Sequence, residues 1–231
     1  MPAVPFEPLS LEVSAGGERV PTVCFVPRDA TDGTPLLLFG HGANLGKDDP
    51  IMQQIAKALA RAVPAVVAMI DFPAHGERPG GGDDAAVQAS MSDAALPERI
   101  AAEWNAVITA ARAHTQGRVG YVGFSMGAMH GLSSIGGVPE VEACAFVVGG
   151  FVRDDHRNAI IRAGIERLGS REVLMCNLTR DEHFPIVMAL DTFALIPGPK
   201  RMHVWEGTHV DVPAEAVRSV SEFFARTLAP A

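Results

Sequence analysis

The stretch Gly120-Tyr121-Val122-Gly123-Phe124-Ser125-Met126-Gly127-Ala128-Met129-His130 decides how this chain reads. A β-rich run over residues 118–122 ends in a serine held between Gly123 and Gly127, and a helix-forming sequence begins at once. This is the pattern G-x-S-x-G in the strand–turn–helix setting that gives it chemical meaning. A sharp turn from strand to helix forces its central residue into strained backbone angles and brings the two elements close together. Side chains two residues to either side would collide, so small residues are required there. Such a turn lifts the Ser125 hydroxyl clear of the carboxyl edge of the sheet, where open α/β sheets bind ligands. The Met126 amide, at the amino end of the helix, points to where an oxyanion would form.

Outward from that corner, strands and helices alternate. Residues 10–13 and 20–26 read as two strands separated by the turn Ala15-Gly16-Gly17-Glu18, an antiparallel hairpin. Residues 35–39 and 65–70 are apolar throughout, as strands covered on both faces are. Residues 49–61 carry Ile51, Ile55, Ala58 and Leu59 at helical spacing. A polar, glycine-rich loop spans 71–84, and a long helical region spans 85–114 with a break near Pro97. Further strands are expected at 143–148, 172–177 and 202–205, and helices at 126–135, 157–168, 183–193 and 214–228. Alternation of this kind implies right-handed crossovers and a mostly parallel, doubly wound sheet of about eight strands with helices on both faces. No repeat or linker interrupts it, so one domain over residues 1–231 is expected.

The bulk properties narrow the function. At 231 residues with 48% apolar side chains, the chain can bury a sizeable core. A net charge of −8 argues against nucleic acid and against an anionic membrane surface. Cys24, Cys144 and Cys176 sit in apolar, strand-like contexts with no pairing pattern and read as buried hydrophobes. Pro2, Pro5, Glu7 and Pro8 break any leader pattern, and no apolar stretch approaches a membrane span, so a cytoplasmic location is expected. No H-E-x-x-H or paired Cys/His spacing suggests a metal, and no cofactor is called for.

A serine hydroxyl is a poor nucleophile until a base takes its proton, so a histidine and a carboxylate are required from loops at the carboxyl ends of later strands. Eight histidines compete. His209 lies in Glu206-Gly207-Thr208-His209, a short loop between the strand ending at Trp205 and a helix starting near Pro213. The alternatives sit in less suitable places. His114 is on the helix before the serine strand, His130 is beyond Ser125 on the wrong side of its helix, His156 is in a polar segment, and His203 alternates within a strand. For the carboxylate, Asp181 follows the strand over 172–177, where it would fix the tautomer of His209 and stabilise the imidazolium. An N-cap for the next helix is the competing role of Asp181. Glu182 is its neighbouring competitor, and Asp211 is too near His209 in sequence to face it. The chain order Ser125, Asp181, His209 is that of α/β-hydrolases.

On these residues the chain resembles the α/β-hydrolase superfamily. It is similar to small esterases of the dienelactone hydrolase and prolyl-oligopeptidase-like kinds, over roughly residues 35–228. Phe39-Gly40-His41-Gly42-Ala43 resembles the oxyanion loop of that family, which implies that Ala43 donates a backbone N–H and that His41 braces the loop. Asp71-Phe72-Pro73-Ala74-His75-Gly76-Glu77-Arg78 resembles its D-x-P-G-H-G-x-S loop, with Ala74 in place of the usual glycine. That loop implies a wall of the pocket or a stabilising turn. His41, His75 and Phe151 are the expected substrate contacts. Ser125 departs from the cysteine nucleophile of dienelactone hydrolases and favours ordinary carboxylic esters. Residues 149–171 leave room for only a minimal cap, which implies small or accessible esters. Arg153 and Arg157 have two readings, contacts for an acidic group or solvated helix charges. Three other functions use the same frame: an acyltransferase or thioesterase, a peptidase, and a hydrolase-fold binding protein without turnover.

Overall fold

The computed structural model describes residues 6–229. Pro2 and Pro5, which bear on the expected absence of a leader, lie outside them. Ten strands and seven α-helices follow one another as β1 (Phe6–Leu11), β2 (Ser14–Ala15), β3 (Glu18–Arg19), β4 (Thr22–Pro27), β5 (Leu36–Gly40), α1 (Pro50–Ala62), β6 (Val66–Ile70), α2 (Asp84–Met91), α3 (Leu96–Ala111), β7 (Val119–Phe124), α4 (Met126–Ser134), β8 (Val141–Val147), α5 (Asp155–Glu166), β9 (Glu172–Leu178), α6 (Ile186–Leu195), β10 (Lys200–Trp205) and α7 (Ala214–Thr227). Eight of the strands form one sheet in the order β1-β4-β6-β5-β7-β8-β9-β10. Only β4 runs against the others. The expected hairpin is present, with β2 and β3 as a small ribbon at its tip. Its first arm starts earlier than the hydrophobic pattern suggests, at Phe6, and includes Pro8. Proline is tolerated there because β1 is an edge strand.

The fully apolar strands lie at the centre of the sheet, and their alternate residues feed two cores. Leu36, Leu38, Val66, Ala68 and Ile70 face α3, α4 and α5 through Trp104, Leu132 and Ile161. Leu37, Phe39, Val67 and Met69 face α1 and α7 through Leu59, Val220 and Phe224. That is why no polar residue alternates in β5 or β6.

Capping chemistry sets several boundaries. Asp49 accepts from the amides of Ile51 and Met52 and starts α1 with proline in its first turn. The long helical region over 85–114 is two helices, parted at residues 92–95, with Pro97 in the first turn of α3. Between β8 and β9 a single helix, α5, packs on α4. No helix among the described residues is long and apolar enough to cross a membrane.

Candidate active site

β7 delivers Ser125 to the sheet edge, and α4 leaves from the next residue. Ser125 holds φ 55° and ψ −116°, a conformation that costs a non-glycine residue roughly 1–3 kcal/mol. Its N–H donates to Val147 O at 2.9 Å, which ties the turn to β8. The two glycines are there because backbone passes on both sides. A Cβ on Gly123 would sit 2.4 Å from Gly127 O, and one on Gly127 would sit 2.3 Å from Gly40 O. Tyr121, fully buried beneath, donates its hydroxyl to Gly127 O at 2.6 Å. All its neighbours in the turn are buried, but Ser125 itself is partly exposed.

The loop after β10 brings His209 to the serine, with Nε2 at 2.8 Å from Ser125 Oγ. On the other side of the ring, Nδ1 is 2.9 Å from Asp181 Oδ2. A carboxylate oxygen accepts, so Nδ1 carries the proton and Nε2 is left as acceptor for the serine hydroxyl. Asp181 has a wholly buried side chain. Its second oxygen, Oδ1, accepts from His183 N at 2.9 Å and Phe184 N at 2.8 Å. One oxygen of Asp181 therefore faces the imidazole while the other caps the turn at 183–184; α6 itself starts after Pro185 with no side-chain cap, so the competing N-cap role is not the one Asp181 takes. The turn it holds delays α6 to Ile186, three residues past the expected start. Arg180 N donates to Gly207 O at 2.9 Å, fastening the Asp181 loop to the His209 loop.

The competing carboxylates go elsewhere. Glu182 accepts the backbone N–H of His209 at 3.3 Å but leaves the imidazole alone. Asp211 accepts from the amide and hydroxyl of Thr208 and shapes its own loop. Among the other histidines, the ring of His156 faces Ser92 O and that of His203 faces Ser219. His130 is buried, and burial lowers its pKa to about 3. The rings of His183 and Phe184 lie 4.7 and 5.7 Å from that of His209, and sequence patterning carries no signal for either contact.

Residues 41–44 pass beside Ser125. A Cβ on Gly42 would lie 3.6 Å from Ser125 Cβ. Ala43 follows in an exposed turn, and Asn44 takes φ 59°. Met126 is the first residue of α4, where the N–H has no partner within the helix and the helix dipole is positive.

His41, His75 and Phe151, the expected substrate contacts, are all buried in this structure. His41 is completely buried. Its Nε2 accepts from Phe72 N at 3.1 Å, so Nδ1 carries hydrogen and donates to Gly42 O at 2.7 Å. Burial holds this imidazole neutral, with a pKa lowered to about 4. It braces the loop. His75 is 2% exposed, with Nδ1 against Pro73 O at 2.9 Å and a buried Nε2 without a hydrogen-bond partner. Phe151 belongs to the core, stacked under Arg162 at 5.0 Å.

The sheet order and the serine turn are those of the α/β-hydrolase superfamily, and the chain has that fold. Among solved structures it is similar to a PEG-bound, cold-adapted esterase from an Arctic intertidal metagenomic library. The two share 25% identity over 99% of this chain and 96% of that one, with a TM-score of 0.83. It is also similar to a dienelactone hydrolase from Anabaena variabilis, at 19% identity over 97% of this chain and 99% of that one, TM-score 0.76. This second likeness is one of fold. No family model matches the sequence, and no curated protein does.

Proposed function

We propose that this chain is a serine hydrolase that cleaves carboxylic esters of small or accessible substrates through an acyl-enzyme. The observation that carries the reading is the unbroken line Ser125 Oγ–His209–Asp181, with steps of 2.8 and 2.9 Å. His209 Nε2 takes the serine proton as Oγ attacks the ester carbonyl, a contribution of typically about 10²–10⁴ in rate. Asp181 holds the ring in the Nδ1–H tautomer and offsets the imidazolium charge as it forms. The backbone N–H groups of Ala43 and Met126 take the oxyanion, and each such donor is worth about 10²–10³ in kcat. His209 then returns the proton to the departing alcohol. Water, activated by the same imidazole, releases the acid and restores the serine. No step calls for a metal or cofactor. All three side chains come from turns at one edge of one sheet, which favours a chain that works as a single domain.

The test is hydrolysis of a panel of nitrophenyl esters by the parent, Ser125→Ala and His209→Ala. Both variants are expected to lose at least about 10³ in kcat. Parent activity retained in either one would overturn the assignment. A panel that turns over only when an alcohol or thiol acceptor is added would redirect it to acyl transfer.

A further inference from the structure

Outside the triad, Asp71 is a buried carboxylate with several partners; it follows β6 and opens the loop to Arg78. It is 1% exposed. Each carboxylate oxygen accepts a backbone N–H from a different loop: Oδ1 from Lys47 at 2.7 Å, and Oδ2 from Glu77 at 3.0 Å. Its own backbone is fixed as well, with N donating to Pro21 O at 3.0 Å and O accepting from Arg78 Nε at 3.1 Å. Two glycines enclose the carboxylate. A Cβ on Gly46 would lie 2.8 Å from Oδ1, and one on Gly76 would overlap the carboxylate at 2.2–2.3 Å. The Lys47 ammonium, 7% exposed, stands 3.5 Å from Oδ2 and offsets the buried charge while also meeting Glu77 and Asp48.

This arrangement fastens the loop after β5 at both ends to two consecutive residues. Its start is held by His41, whose Nε2 accepts from Phe72 N. Its far end is held by Asp71 through Lys47 N. The stretch between them contains Gly42, which packs on Ser125, and Ala43, the proposed oxyanion donor. The loop has no helical or sheet bonds of its own from His41 to Gly46 to set its path. The geometry points to Asp71 as a positioning residue that sets the oxyanion donor of Ala43, acting through the backbone of Lys47. A carboxylate is needed because both of its oxygens must accept. An asparagine would turn an N–H₂ toward one of two N–H donors and release one loop.

The inference rests on the serine-hydrolase reading, and its test separates the two. A short-chain alkyl trifluoromethyl ketone reports the oxyanion site. Ser125 Oγ bonds to its carbonyl carbon, the π pair moves onto oxygen, and the serine proton passes to His209 Nε2. The methyl ketone of the same chain stays trigonal and reports ground-state binding. For Asp71→Asn, checked as folded by circular dichroism, kcat on a nitrophenyl ester is expected to fall about 10–100-fold, a partial loss of one donor. KM should stay within about threefold of the parent, since uniform binding is untouched. Trifluoromethyl ketone affinity should fall with kcat, and methyl ketone affinity should hold. Gly46→Ala keeps every charge and presses first on the carboxylate, at 2.8 Å against 3.4 Å for Gly76 Cα, so it should shift the same two quantities in the same direction even if Asp71→Asn does not fold.

Folded variants that keep the parent's kcat and ketone affinity, or that lose both ketones equally, overturn the positioning role and leave the hydrolase reading intact. A parent that neither cleaves esters nor binds the trifluoromethyl ketone overturns both.

Discussion

Replacing Asp181 by asparagine isolates one function of one side chain. Oδ1 accepts two backbone N–H groups, at 2.9 and 2.8 Å. An asparagine keeps its carbonyl oxygen there and turns its N–H₂ toward His209 Nδ1. Two donors then face each other unless the imidazole moves its proton to Nε2, and Nε2 is the atom that must accept from Ser125 Oγ at 2.8 Å. The base is lost with the geometry intact. In Ser-His-Asp sites that swap costs about 10⁴ in kcat, or about 5 kcal/mol of transition-state stabilisation. Folding stability should hardly change, because the turn stays capped; a cap lost to alanine costs about 1 kcal/mol instead. The assay is kcat on a nitrophenyl ester near pH 7.5, beside urea denaturation of the same samples. An Asp181→Asn enzyme within tenfold of the parent, with equal stability, would refute the tautomer argument.

Other consequences follow from the same structure. Burial lowers His41 to about 4 and His130 to about 3, both below the unfolded value near 6.5. The unfolded chain therefore takes up protons on these residues that the native chain refuses, and stability is lost as pH falls through 6.5. Between pH 7.5 and 5.5 each histidine should remove about 1.4 kcal/mol, so urea denaturation at the two pH values should differ by about 3 kcal/mol from this pair; equal stability would contradict it. Ala74 holds φ 62°, a left-handed position that costs an L residue about 1–2 kcal/mol. Ala74→Gly should raise the melting temperature by about 1–3 °C after the glycine's extra unfolded-state entropy is counted, and a lowered one would show that the Cβ packs better than the strain costs.

The serine corner was legible because three local signals coincide in eleven residues: a β run, glycines at fixed offsets and an immediate helix. His209 and Asp181 were legible by placement, since each follows a strand that the hydrophobic pattern reveals. What the pattern missed depends on side-chain hydrogen bonding and on tertiary burial. The late start of α6 follows from Asp181 capping the turn at 183–184 while Pro185 ends it, a conflict that helix periodicity does not register. The burial of His41, His75 and Phe151 is a tertiary outcome. Two of the three are polar, and a loop motif names its residues without saying which of them the fold turns inward. Asp71 was visible as a letter in the motif, but its grip on Lys47, 24 residues away, appears only when β5 and β6 lie side by side.

The central claim is that His209 activates Ser125, and the rate of covalent labelling by a fluorophosphonate tests it most directly. The account predicts a single adduct on the peptide containing Ser125, formed at least about 10²-fold more slowly in His209→Ala. An adduct on another residue, or an undiminished rate without the imidazole, would contradict it.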